Sequence, residues 1–222
     1  MIRELIDADG LPAIAVAGYS LGGNVALKLA GELGATVPQL TAVCAVSPTM
    51  DLGVCVDALE RRANYPYQWN FVRNLKGRMR RKAALFPDEF SVAPLGRIWT
   101  VRQFDEAYTA PYYGFKDATD YYHRASAMRD IDRITVPTLI LTAENDPFVP
   151  PGPFRDPAVA GNPAITTIIT REGGHCAFVE HSDGRYDGYW AEREVVRFAT
   201  EAWRDAASTP SRIRDLSLPL RA

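Results

Sequence analysis

The chain has 222 residues, of which 47% are hydrophobic, and a formal net charge of −2 at pH 7. This near-neutral balance predicts no general attraction to nucleic acid, and no apolar run approaches the roughly 18 residues that span a membrane. The first residues lack the apolar core of a signal peptide. The three cysteines, Cys44, Cys55 and Cys176, show no paired spacing. We therefore expect a cytoplasmic protein without a disulfide framework, metal site or organic cofactor.

Short apolar runs alternate with helical patterns along much of the chain. Buried strands are predicted over residues 13–17, 40–46, 136–142 and 164–170. Helical spacing occurs in three places: at Ile2, Leu5 and Ile6; over 21–33, where Val25, Leu29 and Leu33 share one face; and in a closing helix with apolar Val195, Val196, Ala199, Ala202 and Trp203. Strands that alternate with helices favour a parallel α/β sheet, whose ligands bind beyond the carboxyl ends of the strands.

A glycine-rich turn with a central serine joins the first strand to the helix that follows it. Its sequence is Gly18-Tyr19-Ser20-Leu21-Gly22-Gly23. A turn this tight strains the serine backbone, and we expect side chains at Gly18 and Gly22 to collide across it. A glycine turn without chemistry is the alternative, but the flanking strand and helix favour a nucleophilic serine. A dinucleotide-binding loop is excluded, because the spacing is not G-x-G-x-x-G.

An acid and a base follow later strands in the order that serine hydrolases of this topology use. Asp146 follows the third predicted strand and His175 the fourth, after two glycines. His175 would take the proton of Ser20, and Asp146 would hold the imidazole tautomer. The backbone N–H of Leu21, at a helix N-terminus, would stabilise the oxyanion.

Other residues compete for these roles. Asp51 follows the second strand, where some hydrolases keep their acid, and Glu144 stands close to the end of the third. Among the histidines, His123 is interpreted as structural and His181 as a surface residue. Cys176 is interpreted as a small buried side chain, with a reactive thiol as the alternative.

Several motifs resemble one family, the YheT-like branch of the α/β-hydrolases. Residues 18–24 match its nucleophile elbow, and 104–111 (F-D-E-A-Y-T-A-P) resemble a more specific segment. Further matches occur within 114–126, 136–148 and 173–175. The branch also includes lung-type α/β-hydrolases and yeast medium-chain ester synthase/esterases. The resemblance implies an α/β-hydrolase fold and a serine carboxylesterase for short- or medium-chain acyl esters or monoacylglycerols, with Ser20, Asp146 and His175 as the triad.

The chain departs from this family before the elbow. Family members carry early strands there, with an H-G motif whose loop supplies a second oxyanion donor. We therefore expect an N-terminally truncated version of the fold, in which the first strand is an unpaired edge. Our hypothesis is that Met1 is an internal methionine of a longer reading frame.

The sequence predicts two core segments, one lid insertion between them and a tail. Residues 1–51 and 126–207 form the hydrolase core, 52–125 a lid insertion, and 208–222 a tail. Residues 61–82 hold eight Lys or Arg and no acidic residue, with four interleaved aromatic residues. This pattern predicts a solvated basic helix face or a lid that contacts anionic lipid. Nucleic-acid binding is disfavoured because the patch is local.

Three functions follow from these features. The first is ester hydrolysis through an acyl-enzyme on Ser20. The second is a catalytically impaired hydrolase fragment that lacks one oxyanion donor, and the third is acyl transfer to an alcohol by the same intermediate.

Overall fold

The computed structural model describes residues 2–182, 184 and 186–208. The predicted tail therefore lies outside the described residues, apart from Ser208. The strands are β1 (Ile14–Tyr19), β2 (Leu40–Val46), β3 (Thr138–Ala143) and β4 (Ile165–Thr170). The helices are α1 (Ile2–Asp7), α2 (Leu21–Leu33), α3 (Leu52–Leu59), α4 (Tyr65–Leu85), α5 (Val101–Phe104), α6 (Ala110–Tyr112), α7 (Ala118–Ala125), α8 (Pro157–Ala160) and α9 (Trp190–Ser208).

The four strands form one parallel sheet in the order β1-β2-β3-β4. Each lies within two residues of its predicted position, and the parallel α/β prediction is confirmed. Strand β1 forms one edge of this sheet, as expected. The register aligns Tyr19 with Val46 and Val46 with Leu141, so the carboxyl ends of the strands meet at one side. Loops that leave these ends are thereby brought together.

Helices cover both faces of the sheet because side chains alternate along each strand. On β2, Val43 and Ala45 join the core under α2, whereas Cys44 and Val46 join the core under α9. All four are buried. Ten of the thirteen residues of the central strands β2 and β3 are apolar, as is typical of parallel sheets covered on both sides.

Two predicted apolar faces differ from the observed ones. Helix α2 buries Ala26, Leu27 and Ala30, whereas Val25 is exposed. On α9, Val196 and Trp203 are exposed as well. Leu29 and Leu33 pack partly against the same core, so the predicted face of α2 is correct for these two residues and wrong for Val25.

The elbow glycines are required by close backbone contacts, but not at both predicted positions. A Cβ at Gly18 would lie 2.1 Å from the carbonyl oxygen of Gly22, as expected. At Gly22 itself the space is open, so the predicted collision there is wrong. The second tight position is Gly23, where a Cβ would lie 2.9 Å from the Cβ of Pro48. The contact depends on the loop after β2, which local sequence does not reveal.

A third tight glycine, inside α2, leads to a test of stability. We expect Gly31→Ala to lower the free energy of unfolding by about 1–3 kcal/mol, because the new Cβ would lie 2.4 Å from the carbonyl oxygen of Asp130. The matched change Gly77→Ala, inside α4, meets only an ordinary contact and should stabilise by up to about 1 kcal/mol. Urea unfolding followed by circular dichroism measures both. Equal effects of the two changes would contradict the packing argument.

The predicted insertion, 52–125, contains helices α3 to α7, although its boundaries stay predictions. Its F-D-E-A-Y-T-A-P motif forms a π-helical turn, Asp105–Thr109, between α5 and α6. The half-buried Asp105 carboxylate accepts hydrogen bonds from the hydroxyls of Thr109 (2.6 Å) and Tyr122 (2.7 Å). Glu106 accepts the backbone N–H of Ala118 at 2.7 Å. The motif therefore joins α5 and α6 to α7.

No helix within the described ranges has both the length and the apolar character needed to cross a bilayer.

Candidate active site

Ser20 stands at the junction of β1 and α2 in a strained conformation. Its backbone angles are φ 54° and ψ −121°, a region that costs about 1–3 kcal/mol for a residue with a side chain. The junction is held because the N–H of Ser20 donates to the Val46 carbonyl at 2.9 Å. The Ser20 carbonyl in turn accepts the N–H groups of Asn24 and Thr49, each at 3.2 Å. The local sequence and the neighbouring strand end together fix the turn.

His175 reaches Ser20 from the loop after β4. Its Nε2 lies 2.8 Å from the Ser20 Oγ, although the two residues are 155 positions apart. The preceding Gly173 and Gly174 have φ 148° and 51°, which glycine adopts readily, and Cys176 has φ 63°. This loop is anchored at the carboxyl end of β2, since the N–H of Cys176 donates to the Oγ of Ser47 at 3.2 Å.

Asp146 completes the chain of hydrogen bonds from the loop after β3. Its Oδ2 lies 2.9 Å from the Nδ1 of His175, and its side chain is fully buried. The other oxygen, Oδ1, accepts the backbone N–H groups of Phe148 (3.1 Å) and Val149 (3.0 Å). Both carboxylate oxygens are therefore occupied, which holds the carboxylate in one orientation.

The electrostatic environment favours the protonated imidazole. Burial alone would lower the pKa of His175, but the hydrogen bond and charge of Asp146, together with a contribution from Cys176, outweigh burial and raise the pKa to about 9. In the neutral ring, a proton on Nδ1 donates to Asp146, so that Nε2 accepts from the Ser20 hydroxyl. This arrangement can take a proton from the serine and hold the resulting positive charge.

The structure places the remaining predicted residues as follows. Leu21 is the first residue of α2, and N–H groups in the first turn of a helix have no acceptor within that helix. Asp51 does not join His175, since its carboxylate caps α3 by accepting the N–H of Val54 at 3.1 Å. Glu144 is exposed and forms an ion pair with Arg155 at 2.7 Å. Two further histidines are exposed, His123 and His181.

The structure thus brings Ser20, Asp146 and His175 together, with the Leu21 N–H beside the serine. The catalytic roles assigned to them stay predictions.

An aromatic cluster beside His175 was not predicted. The rings of Phe148 and His175 lie 4.2 Å apart, and Tyr67 and Phe71 of α4 pack edge-on against Phe148 at 5.5 and 5.9 Å. The position of Phe148, two residues after the acid, was a usable signal. No sequence signal indicated that Tyr67 and Phe71 of α4 join this cluster, because their contact with Phe148 depends on how a distant helix folds back over the site.

Asn145 is a second residue that sequence reasoning missed. Its Oδ1 accepts the N–H of Gly174 at 2.8 Å, and its Nδ2 donates to Glu172 at 2.5 Å. The side chain therefore links the loop that carries the acid to the loop that carries the base.

Comparisons with curated proteins identify relatives of this chain. A protein of Escherichia coli (strain K12) named as the esterase YheT is 36% identical over 184 residues, which are 80% of this chain and 52% of that protein. The mouse phospholipase ABHD3 is 28% identical over 172 residues, 77% of this chain and 41% of that protein. A medium-chain fatty acid ethyl ester synthase/esterase of Saccharomyces cerevisiae is 38% identical over 103 residues, 46% of this chain and 22% of that protein. The chain spans about half the length of the first two relatives.

Solved structures with the same fold are more distant in sequence. An esterase of Pyrococcus furiosus aligns with 90% of this chain and 58% of its own, at 15% identity and a TM-score of 0.51. The model of the alpha/beta hydrolase family matches residues 1–187. This match covers both the elbow and the loops that carry the acid and the base. The chain therefore belongs to the alpha/beta hydrolase family.

Proposed function

We propose that this chain is a serine hydrolase of carboxylic esters that forms an acyl-enzyme on Ser20. The observation that carries the proposal is the pair of short distances, 2.8 Å from Ser20 to His175 and 2.9 Å from His175 to Asp146, at the carboxyl ends of parallel strands. Membership of the family and the esterase name of the E. coli relative support the same reaction class.

The proposed reaction has two halves. His175 removes the hydroxyl proton of Ser20 while the Oγ of Ser20 attacks the ester carbonyl. The N–H of Leu21 donates to the oxyanion that forms. Collapse of this intermediate breaks the ester bond, and the imidazolium returns the proton to the leaving alcohol. A water molecule, activated by the same histidine, then hydrolyses the acyl-enzyme. Throughout, Asp146 stabilises the imidazolium without taking its proton.

The proposed substrates are short- or medium-chain acyl esters or monoacylglycerols. Phe148, Tyr67 and Phe71 supply aromatic surface beside His175, where an acyl chain could be shielded from water. The yeast relative, named for medium-chain fatty acid ethyl esters, supports this chain length.

Fluorophosphonate labelling tests the nucleophile directly. We expect one adduct on the 222-residue chain, mapped by mass spectrometry to Ser20, because only the serine paired with His175 is activated. Heat-denatured chain serves as the control for unspecific reaction. A folded sample that takes no label would contradict the proposal and support a catalytically impaired hydrolase.

The pH dependence of the reaction follows from the pKa of His175. The imidazole must be neutral to accept the serine proton, and its pKa is raised to about 9. We therefore expect kcat/KM for an uncharged ester to rise with pH and to level off above about 9. Initial rates in constant-ionic-strength buffers measure this profile. A rate that stays constant from about pH 6 to about pH 10, a range that brackets both the ordinary and the raised histidine pKa, would contradict the role of His175.

Acyl transfer to an alcohol is the second candidate function, favoured by the synthase activity in the name of the yeast relative. Product analysis in the presence of ethanol distinguishes the two reactions. Ethyl ester would show transfer, whereas free acid alone would exclude it.

A further inference from the structure

A second concave surface lies on the predicted insertion, apart from Ser20. Helix α4 and residues 99–103 border an open groove of about 890 Å³. Two indole rings line it, those of Trp69 and Trp99, which are 62% and 71% exposed. Ser20, Asp146 and His175 do not line this groove. We name it the α4 groove.

The groove carries an excess of positive charge. Arg73, Lys76 and Arg80 line it, and their spacing of three and four residues puts them on one face of α4 with Trp69. One acidic residue, Glu60, also lines it, but this carboxylate is bound by Arg102 at 3.3 Å. In the described part of the chain, no carboxylate forms an ion pair with Arg73, Lys76 or Arg80. The groove therefore matches a ligand with negative charge.

The same cations pack against the aromatic rings. The guanidinium of Arg73 lies 5.2 Å from the ring centre of Trp69, and the ammonium of Lys76 lies 5.0 Å from that of Trp99. Exposed indole rings beside Lys and Arg are the composition that binds the interface of an anionic membrane. A purely soluble anion would need the cations but not the two exposed rings.

We propose that the α4 groove docks this chain on membranes that contain anionic phospholipids. The phosphates lie against Arg73, Lys76 and Arg80, and the two indole rings enter the interface. The opposite face of α4 carries Tyr67 and Phe71, which pack on Phe148 beside His175. One helix thus joins the docking surface to the candidate active site. The docking proposal does not depend on the esterase proposal.

Vesicle binding of matched variants tests the proposal. The full chain is mixed with vesicles of phosphatidylcholine alone, or of phosphatidylcholine with phosphatidylglycerol, and binding is measured by co-sedimentation. We expect binding only to the anionic vesicles. The variant Arg73→Gln/Lys76→Gln/Arg80→Gln should bind about 100-fold more weakly, from the contribution of three cations near an anionic surface.

The control variant is Arg62→Gln/Arg78→Gln/Arg81→Gln. It removes the same charge from the same basic segment, but none of its residues lines the groove. We expect its affinity to stay within about threefold of the parent, since each cation contributes mainly where it meets the surface. Equal losses in both variants would overturn the groove as the docking site. Circular dichroism and hydrolysis of a soluble ester report folding and the esterase activity separately.

Tryptophan fluorescence locates the contact. Anionic vesicles should shift the emission to shorter wavelength, and Trp69→Phe/Trp99→Phe should remove this shift, since the other two tryptophans lie on α9. A shift that persists without the two indoles would overturn the proposal. So would equally tight binding of inorganic phosphate, soluble glycerol phosphate or RNA.

Discussion

Replacement of Ser20 by alanine is expected to reduce kcat for a soluble ester by about 10⁶-fold, the scale seen when a serine nucleophile is lost. Alanine removes the Oγ that lies 2.8 Å from His175, so no acyl-enzyme can form. KM should change little, because the hydroxyl contributes to bond formation more than to ground-state binding. Steady-state rates and the disappearance of the fluorophosphonate adduct measure the effect.

The neighbouring thiol supplies the matched control for this variant. Cys176 follows His175 directly in the chain and carries a thiol, which is also a nucleophilic group. Its contact with Ser47 uses the backbone N–H, so Cys176→Ala keeps that hydrogen bond. We expect Cys176→Ala to retain labelling and most of kcat. Loss of activity in Cys176→Ala with retention in Ser20→Ala would reverse the assignment of the nucleophile.

The substitution Asp146→Asn is expected to lower kcat by about 10⁴-fold with little change in the fold. The oxygen of the new amide would still accept the backbone N–H groups of Phe148 and Val149, but its NH₂ group would favour the wrong tautomer of His175. Loss of the carboxylate also removes the charge that raises the pKa of His175. The midpoint of the pH profile should therefore move below about 9, as kcat/KM measured against pH would show.

Asp51→Asn is the control, because Asp51 was the rival acid in the sequence. Its side chain caps α3 through the N–H of Val54, and asparagine is an equally good N-cap residue. We expect full activity and an unchanged pH profile from this variant. If Asp51→Asn were the inactive variant and Asp146→Asn the active one, the acid would be assigned to the wrong loop.

Local features of the sequence determined the secondary structure and the order of the chemical groups. Strand β2 and helix α2 lie where the apolar patterns predict them, because periodicity depends only on neighbouring residues. The strained serine turn was also predictable, since Gly18 and Ser20 belong to one short motif. The family of the chain followed from such motifs.

Only the tertiary structure decided which side chains meet. Asp146 and Asp51 both follow predicted strands, and the packing of their loops places the first on His175 and the second on α3. Gly23 must be a glycine because a Cβ at this position would collide with Pro48 on another loop. Val25 is exposed because a different part of the α2 surface packs on the sheet.

The aromatic cluster at His175 and the α4 groove belong to this second group. Phe148 and Phe71 are separated by most of the predicted insertion and by strand β3, yet their rings lie 5.9 Å apart. Trp69 and Trp99 line one groove although they stand on different elements. Periodicity and motif spacing depend only on residues that are close to one another in the sequence. Contacts across the chain depend on strand order and loop packing, which arise only when the whole sheet and its helices assemble.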